Sequence, residues 1–467
     1  MTSRDAPPPS APPSNSAARV PAPPETASRA DRPLAALAAP IFAENLVRTS
    51  LTAVDQFMLY GFATAAAAAM SAAGQFAFFL QLLYQMPSIG AGILVSQALG
   101  AGRREDAERY ALGGLVLVGA FSLVVSGVFA ALVAPVLGLY GLESQVRAHA
   151  ATFLVIYGGA SAFMAFNLGQ AAVLRAWGHP RDAMLANVAA LGTAVTGNWL
   201  ALYGPFGLPV TGMAGVAWSN VAGQIVAFAI MGVSLRKRGV RLPWRDAFRL
   251  PVDVVRGILR IGVPTAGEML SYNLAQIVIM GMVASLGTEA LAAYGLVITL
   301  SRYVFIFGVS VGNAGQIKVG WLVGARRFDE AYRGVIRWFL SGAAVSLGAS
   351  ILMNLGKRRF IALFTDDPAI AALASGALLV GLALEPGRCL NTIVIPGLKG
   401  SGDVRFPVLV GILFMWGVGV LGARILGLGL GLGLAGIWIA MAADEWLRGL
   451  VMLSRWRSGA WRGKAAL

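Results

Sequence analysis

The chain has 467 residues, of which 57% are hydrophobic and only 13% are charged, with a formal net charge of +15. A soluble domain carries about twice that charged fraction, so the composition excludes an ordinary water-soluble fold and indicates an integral membrane protein. One cysteine, Cys389, excludes a disulfide framework, and two histidines exclude a histidine-rich metal site.

The N-terminal segment 1–33 differs from the rest of the chain. It contains nine prolines among Ala, Ser and scattered charges, and it lacks the apolar core of a signal peptide. We expect this segment to be a disordered cytosolic tail.

Apolar stretches recur after the tail, each long enough at about 20 residues to cross a bilayer. They predict an all-α integral membrane fold with twelve transmembrane helices. The predicted helices span 35–61, 69–98, 110–138, 147–173, 183–204, 212–235, 255–284, 289–322, 331–355, 368–396, 405–426 and 431–454.

Two stretches of the chain repeat at one fixed offset. VSQALGAGRREDAERY (95–110) aligns without a gap on VGWLVGARRFDEAYRG (319–334), and the shift that carries position 95 to 319 also aligns LRAWGHPRDAML (174–185) with LKGSGDVRFPVL (398–409). We call this shift the repeat offset. A shared offset at separate places predicts two homologous halves, and duplication in an apolar chain is typical of transporters.

The predicted helices divide evenly between these halves. Six helices in each half give both halves the same orientation, so the repeat is parallel and its pseudo-two-fold axis runs along the membrane normal. The predicted organisation is the tail, an N-terminal six-helix lobe at 34–235, a basic cytosolic linker at 236–254, a C-terminal six-helix lobe at 255–455 and a cytosolic tail at 456–467.

The basic residues predict the orientation in the membrane. If both termini are cytosolic, 28 of the 37 Lys and Arg residues fall in the tails and cytosolic loops and five on the opposite side. Cytosolic loops carry the excess of Lys and Arg, so we expect both termini in the cytosol and the protein in the inner membrane. The positive charge therefore reports topology, and we expect no nucleic-acid partner.

Ionisable residues within the predicted spans are the candidates for function, because each costs about 2.5–3.5 kcal/mol at a helix centre unless it faces protein or water. In the first helix Glu44, Arg48 and Asp55 share one face. Glu44 and Arg48 are spaced to form an i,i+4 pair. Asp55 has no base at i±3 or i±4, so it requires a partner on another helix, a proton or a bound cation.

The second half also contains intramembrane polar residues. Glu268 lies in a helix entered through Gly262-Val263-Pro264 and lacks a local base, whereas Glu385 is spaced to pair with Arg388, and Asp444-Glu445 are expected to extend toward the cytosolic interface. The candidates for lining a substrate cavity in this half are Tyr272, Asn273, Gln276, Glu385, Arg388 and Asn391.

Motifs of enzymes are missing from the sequence. No G-x-x-x-x-G-K-[ST] loop is present, and no nucleophile–base or metal-ligand spacing stands out. We expect neither an enzyme, nor a metal site, nor a cofactor other than a transported proton or sodium ion.

Several segments resemble the multidrug and toxic compound extrusion (MATE) family. They occur in the family's order: AVDQFMLYG, the two aligned loops, VLRAWGHPRDAM, NWLALYGPFGLPVTGMAGVAWSN, GVPTAGEMLSYN, GTEALAAYG and GLKGSGDVRFP. The resemblance covers about 35–455. It implies a V-shaped pair of six-helix lobes that exports organic, often cationic, drugs against inward flow of protons or sodium ions. We expect the protein to be a monomer.

The resemblance also suggests ion-coupling residues. Asp55 matches the family's first-helix aspartate, Asn198 stands where many members have a partner aspartate, and Asn220 corresponds to a nearby threonine. In the second half, one branch has an acidic residue where this chain has Tyr272, while Glu268 stands one turn earlier. These departures from sodium-binding members favour proton coupling. The alternatives are a lipid-linked saccharide flippase of the same broad superfamily and a non-transporting receptor or scaffold.

Overall fold

The computed structural model describes residues 29–139 and 143–465, and all regular secondary structure in this part of the chain is helical. Most of the predicted N-terminal tail, residues 1–28, lies outside the described residues. The helices of the first half are α1 Leu34–Phe62, α2 Thr64–Gly100, α3 Arg104–Leu139, α4 Ser144–Gly159, α5 Ser161–Ala176, α6 Pro180–Tyr203 and α7 Gly212–Lys237.

The second half follows after a loop that contains one short 3₁₀ helix, Trp244–Arg249. Its helices are α8 Val252–Ala284, α9 Thr288–Gly324, α10 Phe328–Leu355, the short α11 Lys357–Ala362, α12 Pro368–Gly400, α13 Arg405–Gly429 and α14 Gly433–Arg457. The second part of α13 is π-helical over Met415–Val420 and Ala423–Gly429.

These helices form twelve transmembrane spans, as predicted. Eight helices of the described chain are long and apolar enough to cross a membrane, and α4 with α5 forms a ninth span that bends by 51°. The remaining three, α1, α8 and α14, each bury at least one acidic side chain, such as Glu44, Glu268 and Asp444. The bend corrects the uninterrupted helix predicted over 147–173; it follows Gly158-Gly159, and paired small residues are a common cause of helix kinks.

The duplication is visible in the helix boundaries. The repeat offset carries the first and last residues of α2 onto those of α9, and it carries the ends of the α4–α5 pair onto those of α12. Each half therefore forms one six-helix lobe. Each lobe packs around its own apolar interior, which includes Leu59, Phe153 and Met213 in the first and Val297, Leu378 and Ile437 in the second.

The two lobes meet at the end of the bundle that carries residues 29–33 and 457–465, here called the terminal end. Two hydrogen bonds cross between the lobes there: Gln97 Nε2 donates to Gly400 O at 2.8 Å, and Trp321 Nε1 donates to Ala176 O at 2.9 Å. The repeat offset relates Gln97 to Trp321 and also relates their two acceptors. The two bonds are therefore reciprocal across the pseudo-two-fold axis.

Close backbone packing supports this junction. A Cβ at Gly100 would collide with the carbonyl oxygen of Trp321, and a Cβ at Gly324 would collide with that of Gln97. Both glycines are therefore required by the close approach of α2 and α9 rather than by backbone conformation. The symmetric glycines explain why these two positions agree in the aligned loops.

Residues 31 and 32, at the end of the predicted tail, also contact both lobes. Arg32 Nη1 donates to Gly178 O at 2.8 Å in the first lobe. In the second lobe, Lys318 Nζ donates to Arg32 O at 2.5 Å and Arg327 Nη2 contacts Asp31 Oδ1 at 2.7 Å. The start of the described chain thus bridges the lobes at the terminal end.

Candidate functional site

Asp55 lies on α1 and is only 2% exposed. Asn198 Nδ2 on α6 donates to Asp55 Oδ1 at 2.7 Å, and the Asn220 side chain on α7 faces the same carboxyl group while donating to Val216 O at 3.0 Å. No basic side chain in the described part of the chain forms an ion pair with Asp55. Three residues predicted as ion-coupling are therefore brought together, with amides as the partners of the carboxyl group.

Glu44 has a different partner from the one its spacing suggested. Arg175 Nη1 on α5 contacts the two carboxylate oxygens at 2.8 and 3.0 Å, and Asn187 Nδ2 on α6 contacts Oε1 at 3.2 Å. The expected i,i+4 pair with Arg48 does not form, because the carboxylate is turned toward α5 and α6. Among the described residues Arg48 makes no ion pair, although it lies within electrostatic reach of Glu44.

Glu268 has a basic partner that the local spacing could not show. Lys399 Nζ, near the end of α12, contacts Glu268 Oε2 at 2.5 Å, and both side chains are buried. The helix predicted over 368–396 left Lys399 in a loop. In the structure α12 continues through Pro396 to Gly400, since proline is tolerated inside transmembrane helices.

The other predicted acidic residue of the second lobe, Glu385, forms the expected local pair. Arg388 Nη1 contacts Glu385 Oε1 at 2.7 Å, and Arg388 Nε lies 3.7 Å from Glu445 Oε1 on α14. Asn391 Nδ2 donates to Glu445 Oε2 at 2.7 Å and to Glu445 O at 2.6 Å. These contacts join α12 to α14 inside the lobe.

Asp444 and Glu445 were expected to extend toward the interface, and this expectation is wrong. Both are buried, and both contact Arg448: its Nη2 lies 3.1 Å from Asp444 Oδ2 and 2.9 Å from Glu445 Oε2. The acids face α12 and α8 because they lie on the packed side of α14. The burial of these two acidic residues and the buried base Arg448 were therefore not predicted from the sequence.

Of the residues predicted to line a substrate cavity, Tyr272 and Gln276 line a small cavity beside Asp444 and Glu445. Gln276 Oε1 also accepts from Tyr294 at 3.4 Å. Asn273 instead donates to Met269 O of its own helix at 2.7 Å. Glu385, Arg388 and Asn391 belong to the polar network between α12 and α14 rather than to this cavity.

The internal repeat explains the ion pairs and was the signal that could have found them. The repeat offset relates Glu44 to Glu268 and Arg175 to Lys399. The pair on α1 and α5 therefore recurs, with a lysine for the arginine, on α8 and α12. Once the contact of Arg175 with Glu44 is known, the repeat offset predicts Lys399 as the partner of Glu268.

The family of the chain follows from comparison with known proteins. The sequence model of the MatE family matches the chain twice, at 40–200 and at 264–425. The chain belongs to the MatE family. The starts of the two matches are related by the repeat offset, in agreement with the duplication, and MatE relatives with a named activity are transporters rather than enzymes.

Individual MatE relatives cover nearly the whole chain. An uncharacterised transporter, YisQ of Bacillus subtilis, is 33% identical over 90% of this chain and 93% of its own length. A probable multidrug resistance protein, NorM of Thermotoga maritima, is 25% identical over 92% and 93%. The crystal structure of a MATE transporter in the bent conformation superposes with a TM-score of 0.85 at 17% identity, covering 96% of this chain and all of that one. This likeness confirms the two-lobe, twelve-helix fold.

Proposed function

We propose that this protein is a secondary active exporter of organic, often cationic, small molecules, driven by inward flow of protons. The observation that carries the proposal is Asp55, a buried carboxyl group in a transmembrane helix that has amide partners and no ion pair within the described residues. A charge in such a place is costly unless it is compensated. A proton or a cationic substrate would each compensate it.

The geometry around Asp55 suits both protonation states. Asn198 Nδ2 stabilises the ionised carboxylate, while Asn198 Oδ1 is buried and accepts no hydrogen bond from any described residue. A protonated Asp55 has a donor for that oxygen after a small rotation of either side chain. One amide can therefore hold the carboxyl group in both states, as a site that alternately loads and releases a proton requires.

Competition for Asp55 would couple the two flows. A cationic substrate favours the ionised carboxylate, and a proton removes the charge that attracts the substrate. If each is bound alternately as the lobes rock, export of one accompanies import of the other. The substrate class is supported by MatE relatives named as probable multidrug resistance proteins.

The orientation proposed from the basic residues places the terminal end in the cytosol and the protein in the inner membrane. In that orientation we expect the reciprocal hydrogen bonds of Gln97 and Trp321 to hold the lobes together on the cytosolic side. Cysteine labels at Thr2 and Ala465 should react only from the cytosol. Labelling of either one from outside intact cells would reverse the orientation.

The exporter is tested by dye efflux from proteoliposomes under separately imposed proton and sodium gradients. The wild-type protein should respond to the proton gradient, and Asp55→Asn, which keeps nearly the same volume, should lose that response while remaining folded. Asp329→Asn is the matched control, because Asp329 is exposed at the terminal end and its one ion pair with a described residue is with Arg462. Proton-driven efflux by well-folded Asp55→Asn would remove Asp55 from the mechanism and direct attention to Glu268.

The charges inside the lobes favour an exporter of cations over a flippase of pyrophosphate-linked saccharides. A pyrophosphate cavity needs several unpaired basic side chains. Arg48 makes no ion pair with a described residue, whereas Arg175, Lys399 and Arg448 are each within 3.1 Å of a carboxylate oxygen. A receptor or scaffold would show no flux of any solute in the same proteoliposomes.

A further inference from the structure

The second lobe contains a small internal cavity between α8, α13 and α14. Its volume is about 20 Å³, and its lining includes Tyr272, Gln276, Ile279, Gly419 and Asp444. A single water needs roughly 10–15 Å³. The cavity therefore has room for a water molecule or a small inorganic ion, and it is far too small for an organic substrate.

The cavity occupies the position that the Asp55 site occupies in the first lobe. The repeat offset relates Ile279 to Asp55 and Asp444 to Asn220, and both second-lobe residues line the cavity. The pseudo-two-fold axis thus relates the cavity in the second lobe to the Asp55 site in the first. The carboxyl group stands on the first helix of one lobe and on the last helix of the other.

Asp444 presents an unsatisfied oxygen at this cavity. Its Oδ2 contacts Arg448 Nη2 at 3.1 Å, whereas Oδ1 is buried and has no hydrogen-bond partner in the described part of the chain. The residue is only 7% exposed. Buried carboxylate oxygens are normally hydrogen-bonded, and each exception requires an explanation; a cation or a proton in the cavity would satisfy this one.

The charged groups around the cavity leave one carboxyl group in excess. Asp444 is faced by Glu445 and Arg448 on its own helix and by Tyr272 on α8, and Glu268 of α8 lies within electrostatic reach of Arg448. Met415 and Gly419 of α13, which also line the cavity, carry no charge. Ion pairs connect the acids Glu385, Asp444 and Glu445 with the bases Arg388 and Arg448 in one network, which we call the second-lobe cluster. Glu268 and Lys399 form a separate, neutral pair on α8 and α12.

With all groups ionised, the second-lobe cluster carries one net negative charge inside the membrane. The ionisable groups around Asp55 and the first-lobe ion pair, namely Glu44, Arg48, Asp55 and Arg175, balance one another. An uncompensated charge is costly in this environment, so the second lobe has the stronger electrostatic requirement for one positive charge.

We propose that the second lobe binds one small inorganic cation, a proton or a sodium ion, at this cavity, with Asp444 Oδ1 as its charged ligand. The site is the two-fold counterpart of the Asp55 site. The proposal rests on the exporter function given above and extends it: each transport cycle would carry one cation in each lobe.

Binding is measured on the purified full-length protein in the Asp55→Asn background, which removes the first-lobe carboxyl group that has no ion pair among the described residues and leaves Glu44 paired with Arg175. Infrared difference spectra between acid and alkaline pH report the carbonyl band of a protonated carboxylic acid, and equilibrium binding of radioactive sodium reports the alternative ion. Adding Asp444→Asn should abolish one of the two signals. Which signal disappears identifies the cation.

Variants separate binding from folding. Asp444→Asn leaves Arg448 paired with Glu445, so we expect the protein to elute as wild type in size-exclusion chromatography. Asp444→Glu retains the charge and should retain the signal, and Asp329→Asn should leave it unchanged. If Asp444→Asn alters neither the infrared band nor sodium binding, or if Asp444→Glu behaves like Asp444→Asn, the second site is excluded.

Transport stoichiometry distinguishes this inference from the exporter proposal. In proteoliposomes with Asp55 intact, Asp444→Asn should halve the ratio of cations to substrate, read from the gradient at which flux reverses. An unchanged ratio together with coupled export would refute the Asp444 site and leave the exporter intact. Loss of the binding signal on Asp444→Asn in a protein that shows no export would support the cation site and refute the exporter.

Discussion

The two lobes share an architecture and differ in the placement of their charges. The pair of Glu44 with Arg175 in the first lobe recurs as Glu268 with Lys399 in the second, at contact distances of 2.8 and 2.5 Å. The carboxyl group beyond this pair does not recur: Asp55 corresponds to Ile279. Both lobes thus have the ion pair, and only the first lobe has a carboxyl group at the position of Asp55.

A physical reason distinguishes the two features. Removing one partner of a buried ion pair leaves an uncompensated charge and costs about 3–5 kcal/mol, so the paired residues are constrained to remain together. Asp55 is held by amides, and Asn220 on the opposite wall corresponds to Asp444. In a polar site of this kind, the carboxyl group can stand on either the first or the last helix of the lobe. The comparison separates structural pairs from candidate ion sites.

Moving the carboxyl group across the first-lobe site is the strongest test of this comparison. Asp55→Asn should reduce proton-driven efflux by at least about tenfold, which corresponds to about 1.4 kcal/mol. Adding Asn220→Asp gives the first lobe the arrangement of the second and should recover part of the lost flux. Efflux is measured in proteoliposomes under an imposed proton gradient. No recovery of flux in a folded double variant would show that a carboxyl group at position 220 cannot replace the one at position 55.

Breaking either buried ion pair, Glu268 with Lys399 or Glu44 with Arg175, should lower the free energy of unfolding. Glu268→Gln leaves buried Lys399 without its partner and should lower the free energy of unfolding by about 3–5 kcal/mol. Glu44→Gln should cost less, because Arg175 is 22% exposed and can be partly solvated. Apparent melting temperatures in detergent rank the two variants.

The double variant Glu268→Leu/Lys399→Met provides the control for these pairs, because an apolar replacement of a whole buried pair is often neutral. It should restore much of the stability lost in Glu268→Gln. An equally low melting temperature for the double variant would indicate that Glu268 contributes by packing rather than by charge.

The reciprocal hydrogen bonds at the terminal end should have a moderate and equal effect. Gln97→Leu and Trp321→Phe each remove one hydrogen bond between the lobes, worth about 1 kcal/mol, and should each shift the population away from the closed state roughly fivefold. Distances between spin labels at Arg109 and Asp329 report this shift.

Trp446→Phe is the matched control, because its indole donates to Ala383 O within one lobe at 2.7 Å. It should leave the label distances unchanged. If only one of Gln97→Leu and Trp321→Phe changed the label distances, the two hydrogen bonds would have equivalent geometry but unequal contributions to the stability of the closed state.

The smallest effect is expected at the start of the described chain. Asp31→Asn removes a contact with Arg327, which keeps its second partner Glu330 at 2.6 Å. Exposed pairs of this kind contribute about 0.2–1 kcal/mol, so the same spin labels should show little change. A shift as large as that of Gln97→Leu would mean that residues 31 and 32 control closure of the terminal end.

The sequence by itself determined the twelve spans, the duplication and the candidate role of Asp55. Long apolar stretches have few alternatives to crossing a membrane as helices, and a gapless repeat fixes the correspondence of the two halves. The absence of a base near Asp55 along α1 was visible from the 3.6-residue period. The prediction that Glu385 and Arg388 can pair was also local, and the structure confirms it.

Only the tertiary structure decided which charges meet between helices. Spacing along α1 suggested Arg48 for Glu44, but the rotation of that helix turns the carboxylate to Arg175. Asp444 was expected at the interface, and packing of α14 against α8 and α12 places it inside the lobe. The direction and depth of a side chain depend on how helices pack, and the periodicity of one helix does not contain that information.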